Sequence, residues 1–303
     1  MITHAIISYL PDNEDLRNAR KELHKKQLDW LRAQSELGHY DIKIIVVAQN
    51  YRDEDYLDGV EYVKLPNPVG AGGARNILLR MLYDSNEDFY ILHDDDSILY
   101  DYYQPYKFLK ELDTNYDKFK YADIICPVEP MFCGFIDTNN KYDCKHNHIF
   151  IRTGSTRFLF TIVKNFKKYY NKTYYMEGLD AALGEGYEDL DFCFNLIVHG
   201  HSIYKNVSMV LKDMAPVKSV IFTDPDMNNT RLKLHKQNIK SIEQRWSKYG
   251  IYKGTQNKWT ISQFYSKHGS TLKSVCTIPR QIYLDDDSIR TSKRTKVNKS
   301  SLI

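Results

Sequence analysis

The first hundred residues alternate short apolar runs with helical or glycine-rich stretches, and few folds accommodate that alternation. Residues 5–10, 42–48, 60–65 and 89–92 have the length and the β-branched or aromatic content of strands. The second of these, Ile-Lys-Ile-Ile-Val-Val-Ala, is apolar almost throughout, as a strand covered on both faces should be. Between the first two, Asp12 or Asn13 is placed to cap a helix with apolar positions Leu16, Ala19, Leu23, Trp30 and Leu31, closed near Gly38. A second helix is predicted over residues 74–83. Strands and helices in turn predict an α/β fold with a mainly parallel sheet flanked by helices.

Farther along, residues 123–128, 151–163 and 202–211 read as strands, and 229–249 as an amphipathic helix with apolar positions Leu232, Ile239, Ile242 and Trp246. Residues 129–149 have no clear period and read as an insertion. The expected organisation is a catalytic domain over 1–215, a helical extension over 216–284 and a basic, flexible tail over 285–303.

The bulk numbers set outer limits. With 303 residues, 42% hydrophobic and 27% charged, the chain can bury a sizeable core. A formal charge of +3 does not by itself argue for nucleic acid. No window is apolar enough to span a membrane, and the N-terminus reads as an immediate first strand, so a cytoplasmic enzyme is expected. Five scattered cysteines fit a reducing compartment. Twenty-four tyrosines against three tryptophans, with many Lys and Asn, match an AT-rich coding source such as a phage genome.

Three segments carry chemistry. The run Tyr90-Ile-Leu-His-Asp-Asp-Asp96 ends a strand in three carboxylates. In an extended segment Asp94 and Asp96 point to one side, and such hard oxygen ligands suit Mg²⁺ or Mn²⁺. The run Leu65-Pro-Asn-Pro-Val-Gly-Ala-Gly-Gly-Ala-Arg-Asn76 reads as a glycine-rich turn entering a helix. Free N–H groups and the helix dipole there favour an anion, and Arg75 and Asn76 add donors. The third, Gly184-Glu-Gly-Tyr-Glu-Asp-Leu-Asp191, packs four acids around glycines at a helix start, more than capping needs. A carboxylate held beside a metal-bound diphosphate is well placed to take a proton from an attacking hydroxyl.

In this order and spacing, over about residues 4–215, the three segments make the chain resemble the GT-A glycosyltransferases, especially inverting family 2-like enzymes and the related galactosyl- and N-acetylgalactosaminyltransferase domains. The resemblance implies a GT-A fold and a nucleoside diphosphate sugar donor, a UDP-sugar in the first instance. It implies that Ser8, Tyr9 and Pro11 hold the nucleotide base, and that Asn67, Gly70, Ala74, Arg75 and Asn76 lie beneath the diphosphate. Asp94 and Asp96 are implied as metal ligands, with Asp94 and Asp95 also on the nucleotide side. Glu188, Asp189 and Asp191 are implied as the catalytic acids, Asp189 being the base.

The pattern departs from the family at two places. Ala48-Gln49-Asn50 stands where those enzymes place a base-contacting Asp, which puts Gln49 among the nucleotide contacts. The family's third metal ligand is a His, and here Asp213 occupies about that place, with His235 as the alternative. Cys133, Cys144, His146 and His148 are zinc-type ligands without the usual cysteine spacing.

The acceptor is read first as hydroxymethylated cytosine in phage DNA. The basic tail and Lys164, Lys167, Lys168 and Lys172, set among tyrosines, would contact phosphates. Polysaccharide, lipid or protein acceptors are the alternatives. Two other classes stay open: a non-catalytic nucleotide-sugar or nucleic-acid binder, and a nucleotidyltransferase. The latter would normally place its basic glycine-rich loop directly after the first strand, where this chain has Leu10-Pro-Asp-Asn-Glu-Asp15.

Overall fold

The structure, a computed structural model, describes residues 1–99 together with 124–128, 142–143, 148–151, 158–163, 167, 191–192, 194, 203–213, 225–248, 251–253 and 259–261. Ten strands form one sheet. They are β1 (Ile2–Tyr9), β2 (Ile42–Gln49), β3 (Glu61–Leu65), β4 (Phe89–Asp94), β5 (Ser97–Leu99), β6 (Ile124–Val128), β7 (Tyr142–Asp143), β8 (His148–Ile151), β9 (Phe158–Ile162) and β10 (Ile203–Asp213). The order is β3-β2-β1-β4-β9-β6-β10-β8-β7, with β5 paired to β10.

The α/β class and the parallel sheet are as the sequence predicts. β1 pairs parallel with both β2 and β4, and β2 with β3. Beyond β4 the sheet turns mixed, since β9 runs antiparallel to both β4 and β6. The run predicted as one strand over 151–163 is two, β8 and β9, which lie apart in the sheet. Part of the supposed insertion, β7 and the start of β8, extends the sheet edge through antiparallel pairing to β10. Two residues of a strand are too few to show a period.

Helix α1 (Glu14–Gly38) is capped by Asn13, whose side chain accepts from the Leu16 N–H, and ends with His39 in the left-handed region. Its buried face differs from the predicted one. Leu28 and Leu31 pack on Ile6, Ile44, Val46 and Ala48. The rest of that face is polar: Arg17, His24, Gln27 and Gln34 are buried, whereas Ala19 is exposed and Leu16 and Leu23 are only half-buried. The polar face crosses the loops at the carboxyl end of the strands, where charged partners await it.

Helix α2 spans Gly70–Asp84, so the glycine-rich run forms the first helical turn rather than a turn before the helix. Gly70 takes φ +74, a left-handed value that an L side chain resists. Arg75 and Asn76 consequently lie in the second turn. Near the end of the described chain, helix α3 (Pro225–Ser247) is followed by β11 (Ile251–Lys253) and β12 (Trp259–Ile261), an antiparallel pair.

Candidate active site

The connection from β1 leads to β2 and β3 on one side, and β4 returns to the other side of β1. Beyond the strand ends, such a reversal opens a crevice, the usual ligand site of an open parallel sheet. Ser8 and Tyr9 end β1, Gln49 ends β2, Leu65 ends β3 and Asp94 ends β4. The register aligns Tyr9 with Gln49, Gln49 with Leu65, and Ile7 with Asp94. The sequence-predicted residues of these strands therefore meet at one edge.

The three aspartates separate in character. Asp94 and Asp96 are partly exposed, with side-chain accessibilities of 19% and 14%. Asp95 is buried at 2%. The Ser8 hydroxyl donates to Asp95 at 2.5 Å, and the Ser8 and Tyr51 hydroxyls lie 2.7 Å apart. Arg20, from α1, donates to Asp95 at 2.5 Å and to Asp96 at 2.9 Å. Arg75, from α2, donates to Asp94 at 2.7 Å. Burial pushes the Asp95 carboxyl up, against the pull of Arg20 beside it.

Other residues fix the frame. Gln27 donates to the backbone carbonyls of Asp94 and Ser97 at 2.6 and 2.8 Å, clasping the aspartate turn from α1. The Gln49 side-chain oxygen accepts from the Val69 N–H at 2.9 Å, which ties β2 to the start of α2. Arg17 pairs with buried Asp55 and donates to the Pro11 and Asn50 carbonyls, joining the β1–α1 and β2–β3 loops. Tyr51, Tyr56 and Tyr62 stack beside this joint. Beneath the turn lie buried His4, His24 and His93. Burial lowers His4 to about 3 and His24 to about 4, and holds His93 well below the usual range.

Arg20, Gln27, Arg17 and the histidines are absent from the sequence reading. A signal was present: Arg17, Arg20, His24 and Gln27 recur every three or four residues along α1, with Gln34 two turns farther on, a polar stripe on one helix face. Of the predicted residues, Asn67 is exposed and Ser8 is buried. The backbone of Asp213 stands opposite Ser97 in the β10–β5 pairing, next to the aspartate turn. His235 belongs to α3, but its side chain lies outside the described residues, as do Glu188 and Asp189. Of the zinc-type residues only the His148 backbone, in β8, is described.

Asp191, expected among the catalytic acids, lies against α3. Its side chain is 0% exposed, and it accepts from Arg245 at 2.8 and 3.0 Å and from the Trp246 indole at 2.7 Å. Lys167, read as part of a phosphate-contacting run, donates to the Ser85 carbonyl. Among the described residues no helix is long and apolar enough to cross a membrane.

No protein-family model and no curated protein matches the chain. Solved structures of similar fold include GalNAc-T7 with UDP, GalNAc and Mn²⁺, at 10% identity and a TM-score of 0.46 over 82% of this chain and 49% of that one. HddC from Yersinia pseudotuberculosis is similar at 13% identity and TM-score 0.39, over 77% and 99% of the two chains. The galactosyltransferase LgtC, in complex with donor and acceptor sugar analogs, is similar at 11% identity and TM-score 0.36, over 64% and 70%. The chain spans about half the length of the GalNAc-T7 chain, 49%. These likenesses concern the fold alone.

Proposed function

We propose that the chain is a nucleotide-sugar-dependent glycosyltransferase whose donor lies across the crevice between β1 and β4. The observation that carries this reading is the meeting of Ser8, Gln49, Arg75 and the aspartate turn at the switch point of the parallel strands. The Ser8–Tyr51 end takes the nucleoside. The N-cap residue of α2, Val69, makes no side-chain capping bond, and the N–H groups and dipole of the first turn favour the donor's diphosphate, with Arg75 alongside.

Among the described residues no three His, Cys, Asp or Glu side chains gather around one metal position, and the hard oxygens of Asp94 and Asp96 are the donors whose chemistry suits Mn²⁺ or Mg²⁺. Asp94 and Asp96 are accessible, and Asp213 begins from the neighbouring strand position opposite Ser97. These three are the proposed ligands, and a bound cation would neutralise charge growing on the leaving diphosphate. Asp95 is too buried to join them. Asp189 takes the acceptor hydroxyl's proton, with Glu188 beside it, and direct displacement inverts the anomeric configuration. Asp191, next in the same segment, anchors α3 through Arg245 and Trp246 rather than meeting substrate.

The donor is a UDP-sugar and the acceptor a hydroxymethylated cytosine in DNA. Purified protein would be offered a panel of nucleotide sugars with plain and hydroxymethylated DNA, and the digested nucleosides weighed by mass spectrometry. A hexose-sized gain on hydroxymethylcytidine is expected. No transfer to it, with transfer to a polysaccharide, lipid or protein hydroxyl, would overturn the acceptor but keep the reaction class. Pyrophosphate release from a nucleoside triphosphate and a sugar phosphate would overturn the class itself. Asp189→Asn should abolish transfer while donor binding survives, and retained transfer would remove Asp189 as the base.

A further inference from the structure

The role of Arg20 follows from what surrounds it. It rises from α1 with one guanidinium nitrogen on Asp95 at 2.5 Å and another on Asp96 at 2.9 Å. Asp95 is itself fixed, since it is buried and receives the Ser8 hydroxyl, which in turn meets Tyr51. A continuous chain of polar contacts thus runs from the tyrosine cluster at the end of β2, through Ser8, Asp95 and Arg20, to Asp96. Gln27 holds the backbone of the same turn from about two helical turns farther along α1.

Two electrostatic roles are conceivable for a guanidinium against a carboxylate that is to receive a cation. As a competitor it would weaken cation binding; as a guide it would strengthen it. The buried partner decides between them. Asp95, in contact with Arg20 at 2.5 Å, offsets part of the charge that Asp96 sees. What remains is direction: a planar fork held at one end by a fixed carboxylate dictates where the other end's carboxylate points.

We infer that Arg20 and Asp95 are positioning residues, which aim the Asp96 carboxylate at the cation and link that aim to the nucleoside end of the crevice through Ser8. The inference rests on the reading of Asp94, Asp96 and Asp213 as cation ligands, and goes beyond it by assigning two residues that do not themselves touch the cation.

The test measures Mn²⁺ binding by water-proton relaxation, without any nucleotide sugar. The paired variant Arg20→Met with Asp95→Asn removes one positive and one negative charge and retains a polar partner for Ser8. It is expected to bind Mn²⁺ at least fivefold more weakly than the wild type, while circular dichroism shows a folded protein. Arg20→Lys keeps the charge but loses the fork, and is expected to be weakened as well. Equal binding in both variants would overturn the inference, and tighter binding in the paired variant would show Arg20 to be a competitor instead. Should the paired variant fail to fold, Arg20→Lys decides alone, with unchanged affinity as the refuting result. Failure of the wild type to bind Mn²⁺ would overturn the metal site and this inference together, which separates the two failures.

Discussion

Acidification should destabilise this protein before most of its carboxylates are protonated, because three histidines are buried together beneath the aspartate turn. His4 and His24 are 0% and 1% exposed, His93 is 2% exposed, and the rings of His4 and His93 meet edge-on at 5.5 Å. Neither ring nitrogen of His4 has a hydrogen-bond partner. Burial disfavours the charged form, so the folded values fall to about 3 for His4 and about 4 for His24, and well below the usual range for His93. The unfolded chain binds these protons near pH 6.5 and the folded chain does not, so stability rises with pH through that window and is lost as pH falls below it.

The magnitude at pH 5 depends on the unfolded value alone, provided the folded ones lie lower. A gap of about 1.5 pH units corresponds to about 2 kcal/mol per histidine, or about 4 kcal/mol for His4 and His24 together, and His93 acts in the same direction. Asp95 works in the opposite direction. Its folded value, raised to about 6, makes protonation stabilise the fold and offsets about 1 kcal/mol at the same pH. The net loss from these groups, about 3 kcal/mol before His93 adds to it, is a large share of ordinary domain stability. Urea unfolding followed by circular dichroism at pH 7.5, 6.5, 5.5 and 5.0 measures the loss directly. His4→Leu should flatten the slope by about one proton's worth while leaving stability at pH 7.5 equal or higher. A wild-type unfolding free energy that is level between pH 7 and 5, or an unchanged slope in the variant, would refute the account.

Two further effects test the frame around the site. Asp191→Ala leaves Arg245 and Trp246 facing a buried gap, and should cost about 3–5 kcal/mol, read as a lower Tm and faster proteolysis within α3. Asp191→Asn, which keeps an acceptor for the indole, should lose less. Asn13→Ala removes the cap of α1 and should cost about 1 kcal/mol in urea unfolding; a larger loss would mean that Asn13 does more than cap.

The resemblance gave the acids at the end of β4 and the glycine-rich start of α2 their place, and the structure brings them to one edge. The polar half of α1 was missed because apolar periodicity marks a helix by what it hides from water, and this helix hides charge. Arg17, His24 and Gln27 look like solvated positions in sequence. They are buried because Asp55, the turn at Asp94–Ser97 and a layer of histidines lie where α1 crosses the strand ends.

The sequence by itself determined the four parallel strands, a helix cap at Asp12 or Asn13 and the delivery of three aspartates off one strand end. Strand and cap preferences are local, and they are written within a few neighbouring residues. Only the tertiary structure decided that Asp95 faces inward to Ser8 and Arg20 while Asp94 and Asp96 stay accessible, and that Asp191 belongs to Arg245 and Trp246. Each of those pairs joins residues more than fifty positions apart. Such partners are chosen by the order of strands and the path of helices over them, which no local pattern records.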